Sequence, residues 1–89
     1  MNEISIEFLT RPGCHLCDEA SPAVHRAARW TGVRVVEIDI ESCDALVRDF
    51  GMRIPVVRLG EEVVAEGHID GLALWRRLAA RRLSRNVGS

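Results

Sequence analysis

Apolar and polar positions alternate with period two across residues 4–8 and then merge into a continuous apolar end at Leu9. This is the pattern of a strand, expected to be central, with Ile4, Ile6 and Phe8 on one face. Pro12-Gly13 breaks it. A looser helical pattern then opens at Cys14-His15 and runs to about Trp30, with Leu16, Ala20, Ala23, Val24, Ala27, Ala28 and Trp30 as its apolar positions. Asp18 and Glu19 suit its first turn, and Arg26 and Arg29 its last. Pro22 has no N–H and should kink the helix, which Thr31-Gly32 should stop. Residues 33–38 predict a second strand whose valines and Ile38 suit a buried position. Ser42 is placed to cap a short helix over residues 43–50, ended by a left-handed Gly51. Residues 54–59, with Pro55 at the head where a missing donor is tolerated, and residues 63–66 predict an antiparallel hairpin around Gly60-Glu61. Asp70 should cap a last helix to about Leu83. Leu72, Trp75, Leu78, Ala79 and Leu83 share one face of it, opposite Arg77, Arg81 and Arg85.

The order is therefore βαβαββα, one α/β domain over residues 1–85 with a frayed tail at 86–89. A helix joining the first two strands implies a parallel pair with a right-handed crossover, to which the hairpin adds antiparallel strands. Length adds that 89 residues support one modest core without staples. No apolar run approaches the roughly 18 to 20 residues needed to span a membrane. Asn2, Glu3 and Glu7 stand where a secretory signal would have a basic start, so a cytoplasmic location is expected. Charge is uneven: residues 1–70 carry all 13 acidic side chains and seven arginines, while residues 71–89 carry five arginines and no acid.

Three cysteines do not make a disulfide framework, and a Cys-x-x-Cys pair in a cytosolic chain points to redox chemistry or metal. Cys14 and Cys17 lie one turn apart at a helix start, where free N–H groups and the dipole favour a thiolate. Arg11 and His15 are further candidates to stabilise the Cys14 thiolate. In the expected cycle Cys14 attacks a disulfide and Cys17, shielded one turn into the helix, resolves the intermediate. The metal alternative needs more ligands. Cys43, His15, His25 and His68 are available, but no second pair has the spacing of a structural zinc site. A zinc or iron–sulfur binding module, or a redox-responsive adaptor using the same cysteines, stays open as the alternative.

The segment Leu9-Thr10-Arg11-Pro12-Gly13-Cys14-His15-Leu16-Cys17 resembles the active-site segment of glutaredoxins, and the element order resembles the thioredoxin fold. With Asp18 it is most similar to a group of short bacterial glutaredoxin-like proteins. Pro22 matches the helix proline of thioredoxins. Arg53-Ile54-Pro55-Val56 resembles the cis-proline loop, and Gly67-His68-Ile69-Asp70 the glycine–aspartate element before the last helix. The resemblance implies a thiol–disulfide oxidoreductase active in electron transport. It implies a cis Pro55 that turns the Ile54 backbone toward the sulfurs, and a thiol-ligand site at Gly67, His68 and Asp70. It also implies no bound cofactor, with glutathione or another low-molecular-weight thiol as reductant. The implied partners are a disulfide-bearing protein or small molecule and a reductase, the chain acting as a monomer without nucleic acid or membrane. Leu9, His15, Arg53 and His68 depart from the usual tyrosine, proline, threonine and second glycine, so other small thiols and protein disulfides stand beside glutathione as substrates.

The remaining candidates have plain readings. Cys43 is expected to be a buried apolar residue, His25 a surface side chain, and Trp30 and Trp75 core fillers. The arginines of the last helix read as a solvated face. Aromatic interleaving is absent and the pI is about 6.3, which argues against nucleic acid.

Overall fold

A computed structural model describes residues 4–87, with side chains as far as Leu83. Its elements are β1 (Ser5–Thr10), α1 (His15–Thr31), β2 (Arg34–Asp39), a 3-10 turn (Ile40–Ser42), α2 (Asp44–Phe50), β3 (Val56–Leu59), β4 (Glu62–Glu66) and α3 (Gly71–Val87). The sheet order is β2-β1-β3-β4, with β1–β2 parallel and the other two pairs antiparallel. β1 is central, and its alternation decides which layer each side chain joins. Ile4, Ile6 and Phe8 face α1 and α3 in the larger core with Val24, Leu74 and Leu78. Leu9 faces the other way and packs with Ile40, Phe50 and Val56 under α2. The apolar end of the strand is thus the point where both faces of the sheet are covered.

Helix α1 ends as its Thr31-Gly32 pair directs. Gly32 is left-handed at φ 68°, and the Val33 N–H donates back to Ala28 O at 2.8 Å. The helix runs through Pro22, which is exposed, so the donor it lacks falls on the solvent side. α1 and α3 meet closely at Ala23 and Gly71, where an added Cβ would stand 3.2 Å from the Ala23 Cβ.

Several expectations are corrected. β2 is an edge strand, and Val36 is 42% exposed because the seven-residue α2 is too short to cover that part of the sheet. On the same face of the sheet, Glu7 and Arg58 stand opposite each other and form a part-buried ion pair, with Arg58 5.2 Å from the centre of the Phe50 ring. Ser42 closes the 3-10 turn by donating to Asp39 O, and Cys43 takes the N-cap position of α2, exposed rather than buried. Gly51 is right-handed at φ −55°; what requires glycine there is the Val47 carbonyl, 2.5 Å from where a Cβ would sit. The buried stripe of α3 is Leu74 and Leu78, which shifts the apolar face by part of a turn. Leu72 and Leu83 are left exposed, and Trp30 is an exposed side chain, not a core filler. The arginine face of α3 is not simply solvated: Arg77 donates to Val64 O, and Arg81 pairs with Glu62 on β4. Arg85 lies outside the described side chains. α3 continues through Val87, into the stretch expected as a tail. His25 bonds Glu37 on β2 across 3.2 Å.

The ion pairs on β4 carry a pH dependence. Hydrogen bonds from Arg53 hold the Glu66 carboxyl below its ordinary 4.5, and Arg81 does the same for Glu62. A depressed carboxyl pKa adds stability that is complete above the unfolded value and is lost as pH falls through the folded one. Denaturant midpoints should therefore begin to fall near pH 4.5 and keep falling below it. A Glu62→Gln/Glu66→Gln variant should show a shallower decline over that window. Identical acid limbs for the two proteins would contradict the assignment.

Candidate active site

The register of β1 sets the geometry. Leu9 pairs with Val56 and Thr10 with Asp39, so the chain leaving β1, the 3-10 turn after β2 and the loop entering β3 gather at one end of the sheet. β4 joins them, because Val56 pairs with Glu66 and the Gly67 N–H donates to Pro55 O at 2.8 Å. The Ile54–Pro55 peptide bond is cis, and Pro55 is fully buried. Arg53 fastens the same loop through two hydrogen bonds to Glu66, at 3.0 and 2.8 Å, and lies 5.1 Å from the centre of the Phe50 ring. Glu66 and Phe50 were not singled out from the sequence; only pairing between distant segments brings them to Arg53.

The cysteine loop is a tight turn. The Cys14 N–H donates to Arg11 O across Pro12-Gly13, and Gly13 has φ 78°. A type II turn demands that combination, with proline at its second position and a positive φ at its third. Cys14 is the N-cap of α1, and its sulfur accepts a hydrogen bond from the Cys17 N–H at 3.1 Å. Free N–H groups of a first helical turn favour negative charge on that atom. Cys14 and Cys17 are joined as a disulfide with Cα atoms 5.2 Å apart. Cys14 is half-buried, whereas Cys17 is only 3% exposed, so reagents reach the first sulfur before the second.

The two side chains expected beside the thiol are turned to other partners. Arg11 donates twice to Glu41 of the 3-10 turn, at 3.2 and 2.9 Å. His15 is 86% exposed and lies 2.8 Å from Glu19, one turn along the helix. The group that the structure does place against the Cys14 sulfur is the Cys17 N–H of the first helical turn. Gly67 is left-handed at φ 69°, with open space around the position of a would-be Cβ. A small cleft of about 90 Å³ runs between Leu16, Glu19 and Ala20 on α1 and Gly67, His68 and Ile69. Asp70 caps α3, accepting from the Leu72 N–H at 3.0 Å, so its carboxylate is bound to its own helix. His68 is exposed on the rim. Among the described residues, no three histidine, cysteine, aspartate or glutamate side chains gather where they could hold a metal ion, and no helix is long and apolar enough to cross a membrane.

The model of the Glutaredoxin-like domain (DUF836) matches residues 5–83. A protein of Dictyostelium discoideum described as a glutaredoxin-like YDR286C homolog is 30% identical over 74 residues, covering 75% of this chain and 68% of that protein. The X-ray structure of XcR50 from X. campestris superposes with a TM-score of 0.71 at 28% identity, over 84% of this chain and 96% of that one. A mutant thioredoxin from Halobacterium salinarum NRC-1 gives 0.66 at 27% identity, over 89% of this chain and 74% of that one. The fold is thioredoxin-like.

Proposed function

The chain belongs to the glutaredoxin-like family, and from that premise we propose that it is a thiol–disulfide oxidoreductase whose working group is the Cys14–Cys17 pair. The observation that carries the reading is the asymmetry of the pair: a reachable Cys14 sulfur at a helix start, bridged to a buried Cys17. In the reduced protein the Cys14 thiolate attacks one sulfur of a substrate disulfide. That S–S bond breaks, a Cys14–substrate bond forms, and the departing thiolate takes a proton. The Cys17 thiolate then attacks Cys14, expels the second substrate thiolate and leaves the intramolecular disulfide. Two electrons pass to the substrate. Two equivalents of a small thiol such as glutathione, or a reductase, restore the dithiol. Pro55, Ile54 and Gly67 form the wall on which a substrate backbone rests, with His68 and Leu16 at its rim. A reducing cytoplasm suits the cycle, and a monomer suffices for it.

The metal-binding alternative uses the same two sulfurs and, among the described residues, lacks further ligands near them. A reduction assay decides between the readings. It would use a small disulfide and a protein disulfide as acceptors, and glutathione, another low-molecular-weight thiol and a thioredoxin-reductase system as donors. Turnover with at least one pairing, by metal-free protein, is expected. Stoichiometric metal on protein purified without reductant, together with no turnover from any donor, would overturn the proposal.

A further inference from the structure

A groove follows the seam between α1 and α3, on the side of the helices away from the sheet. Ala23 and Gly71 bring the helices together at one point. From there the groove opens into two adjoining clefts of about 300 and 340 Å³. Trp30 and Trp75 line both clefts. Leu72 completes the first and Leu83 the second. Trp30 is 67% exposed, Leu72 55%, Leu83 65% and Trp75 36%. Four large apolar side chains along one seam, none of them in the core, form the sort of contiguous patch that marks an interaction surface. They also follow helical logic: 72, 75, 79 and 83 stack along α3, while 23, 26, 27 and 30 stack along α1.

Charge selects the occupant. The charged residues lining the clefts are Arg26 in the first and Arg82 in the second, and no acid lines either. Arg26 has no ion pair or hydrogen bond among the described residues, while Arg82 reaches the Gly32 carbonyl at 3.3 Å. Arg77 and Arg81, by contrast, are turned to β4 and are spoken for. We propose that the groove docks an amphipathic helix of a partner protein whose apolar stripe is flanked by aspartate or glutamate. The 17-residue α1 is roughly 25 Å long, enough to seat several turns of such a helix by its i, i+3/i+4 and i+7 anchors. A second copy fits poorly, because a two-fold contact would set the same arginines together without an acid between them. Nucleic acid fits poorly too, since it needs a row of phosphate contacts and these walls are apolar. The proposal stands on a surface separate from the cysteine pair and does not depend on the redox reading.

The test is an NMR titration of the full isotope-labelled chain with three probes. These are a synthetic helical peptide with leucines on one face and glutamates flanking them, its lysine-for-glutamate counterpart, and an oligothymidine. The glutamate peptide should shift residues 23–31 and 71–83, bind at least about tenfold tighter than the lysine peptide and weaken with added salt. Trp30→Glu and Arg26→Glu, both at exposed positions, should each cost at least about tenfold in its affinity while leaving the rest of the spectrum in place. Equal binding of the two peptides, shifts mapping elsewhere, preference for the oligothymidine, or no binding at millimolar peptide would each overturn the proposal. So would concentration-dependent self-association through these residues.

Discussion

Mixed with a disulfide substrate, the Cys17→Ser variant will accumulate a covalent mixed disulfide on Cys14, and the Cys14→Ser variant will accumulate none. The expectation follows from burial and from the helix start. Cys14 caps α1 and its sulfur takes the Cys17 N–H, while Cys17 is 3% exposed and backed by the core. Only the first sulfur is both reachable and set at a helix start, the kind of position that favours a thiolate. Without Cys17 nothing inside the protein releases the intermediate, so mass spectrometry under non-reducing conditions should find one substrate adduct per chain. Turnover by Cys14→Ser should fall by about three orders of magnitude or more, as when an attacking nucleophile is removed. Equal trapping by both variants would show that the roles are not divided in this way.

Phe8→Ala should be the most damaging single substitution in the fold. Phe8 is fully buried on the central strand, packed in the larger core and edge-on to His25 at 6.5 Å between ring centres. Truncating a buried phenylalanine costs about 3–5 kcal/mol. An 89-residue domain has roughly 4–13 kcal/mol in total. The variant should melt more than about 10 °C lower, or fail to fold, whereas Ile6→Val, two residues earlier on the same strand, should cost only about 0.5–1.5 kcal/mol. Denaturant unfolding of both variants checks the ordering. A loss below about 1 kcal/mol at Phe8 would mean that the strand is not central.

What the sequence revealed of all this was governed by range. β1, α1 and the hairpin could be read because period and punctuation are local. Ile4, Ile6 and Phe8 alternate, Gly32 stops a helix, and Gly60-Glu61 turns a chain. The placing of Cys14 at a helix start was legible for the same reason. Burial at the margins was not, because it depends on what lies across the sheet. Val36 looks like a core valine until α2 proves too short to cover it. Trp30 looks like a core filler, but α1 turns smaller residues, Ala27 and Ala28, toward the sheet. Arg11 and His15 sit beside the sulfurs in sequence, yet their side chains meet Glu41 and Glu19, one on a distant turn and one along the same helix. The pairing of Arg53 with Glu66 needed the β3–β4 register, which composition does not give.

The measurement closest to the central claim is a redox titration of the unmodified chain. The protein would be equilibrated across a series of thiol-to-disulfide ratios, quenched with an alkylating agent and read by mass spectrometry. A single two-electron transition confined to Cys14 and Cys17 is expected, in folded and metal-free protein, with Cys43 alkylated throughout. A pair that can be reduced only after unfolding, or sulfurs protected by bound metal at every ratio, would contradict a working disulfide at this site.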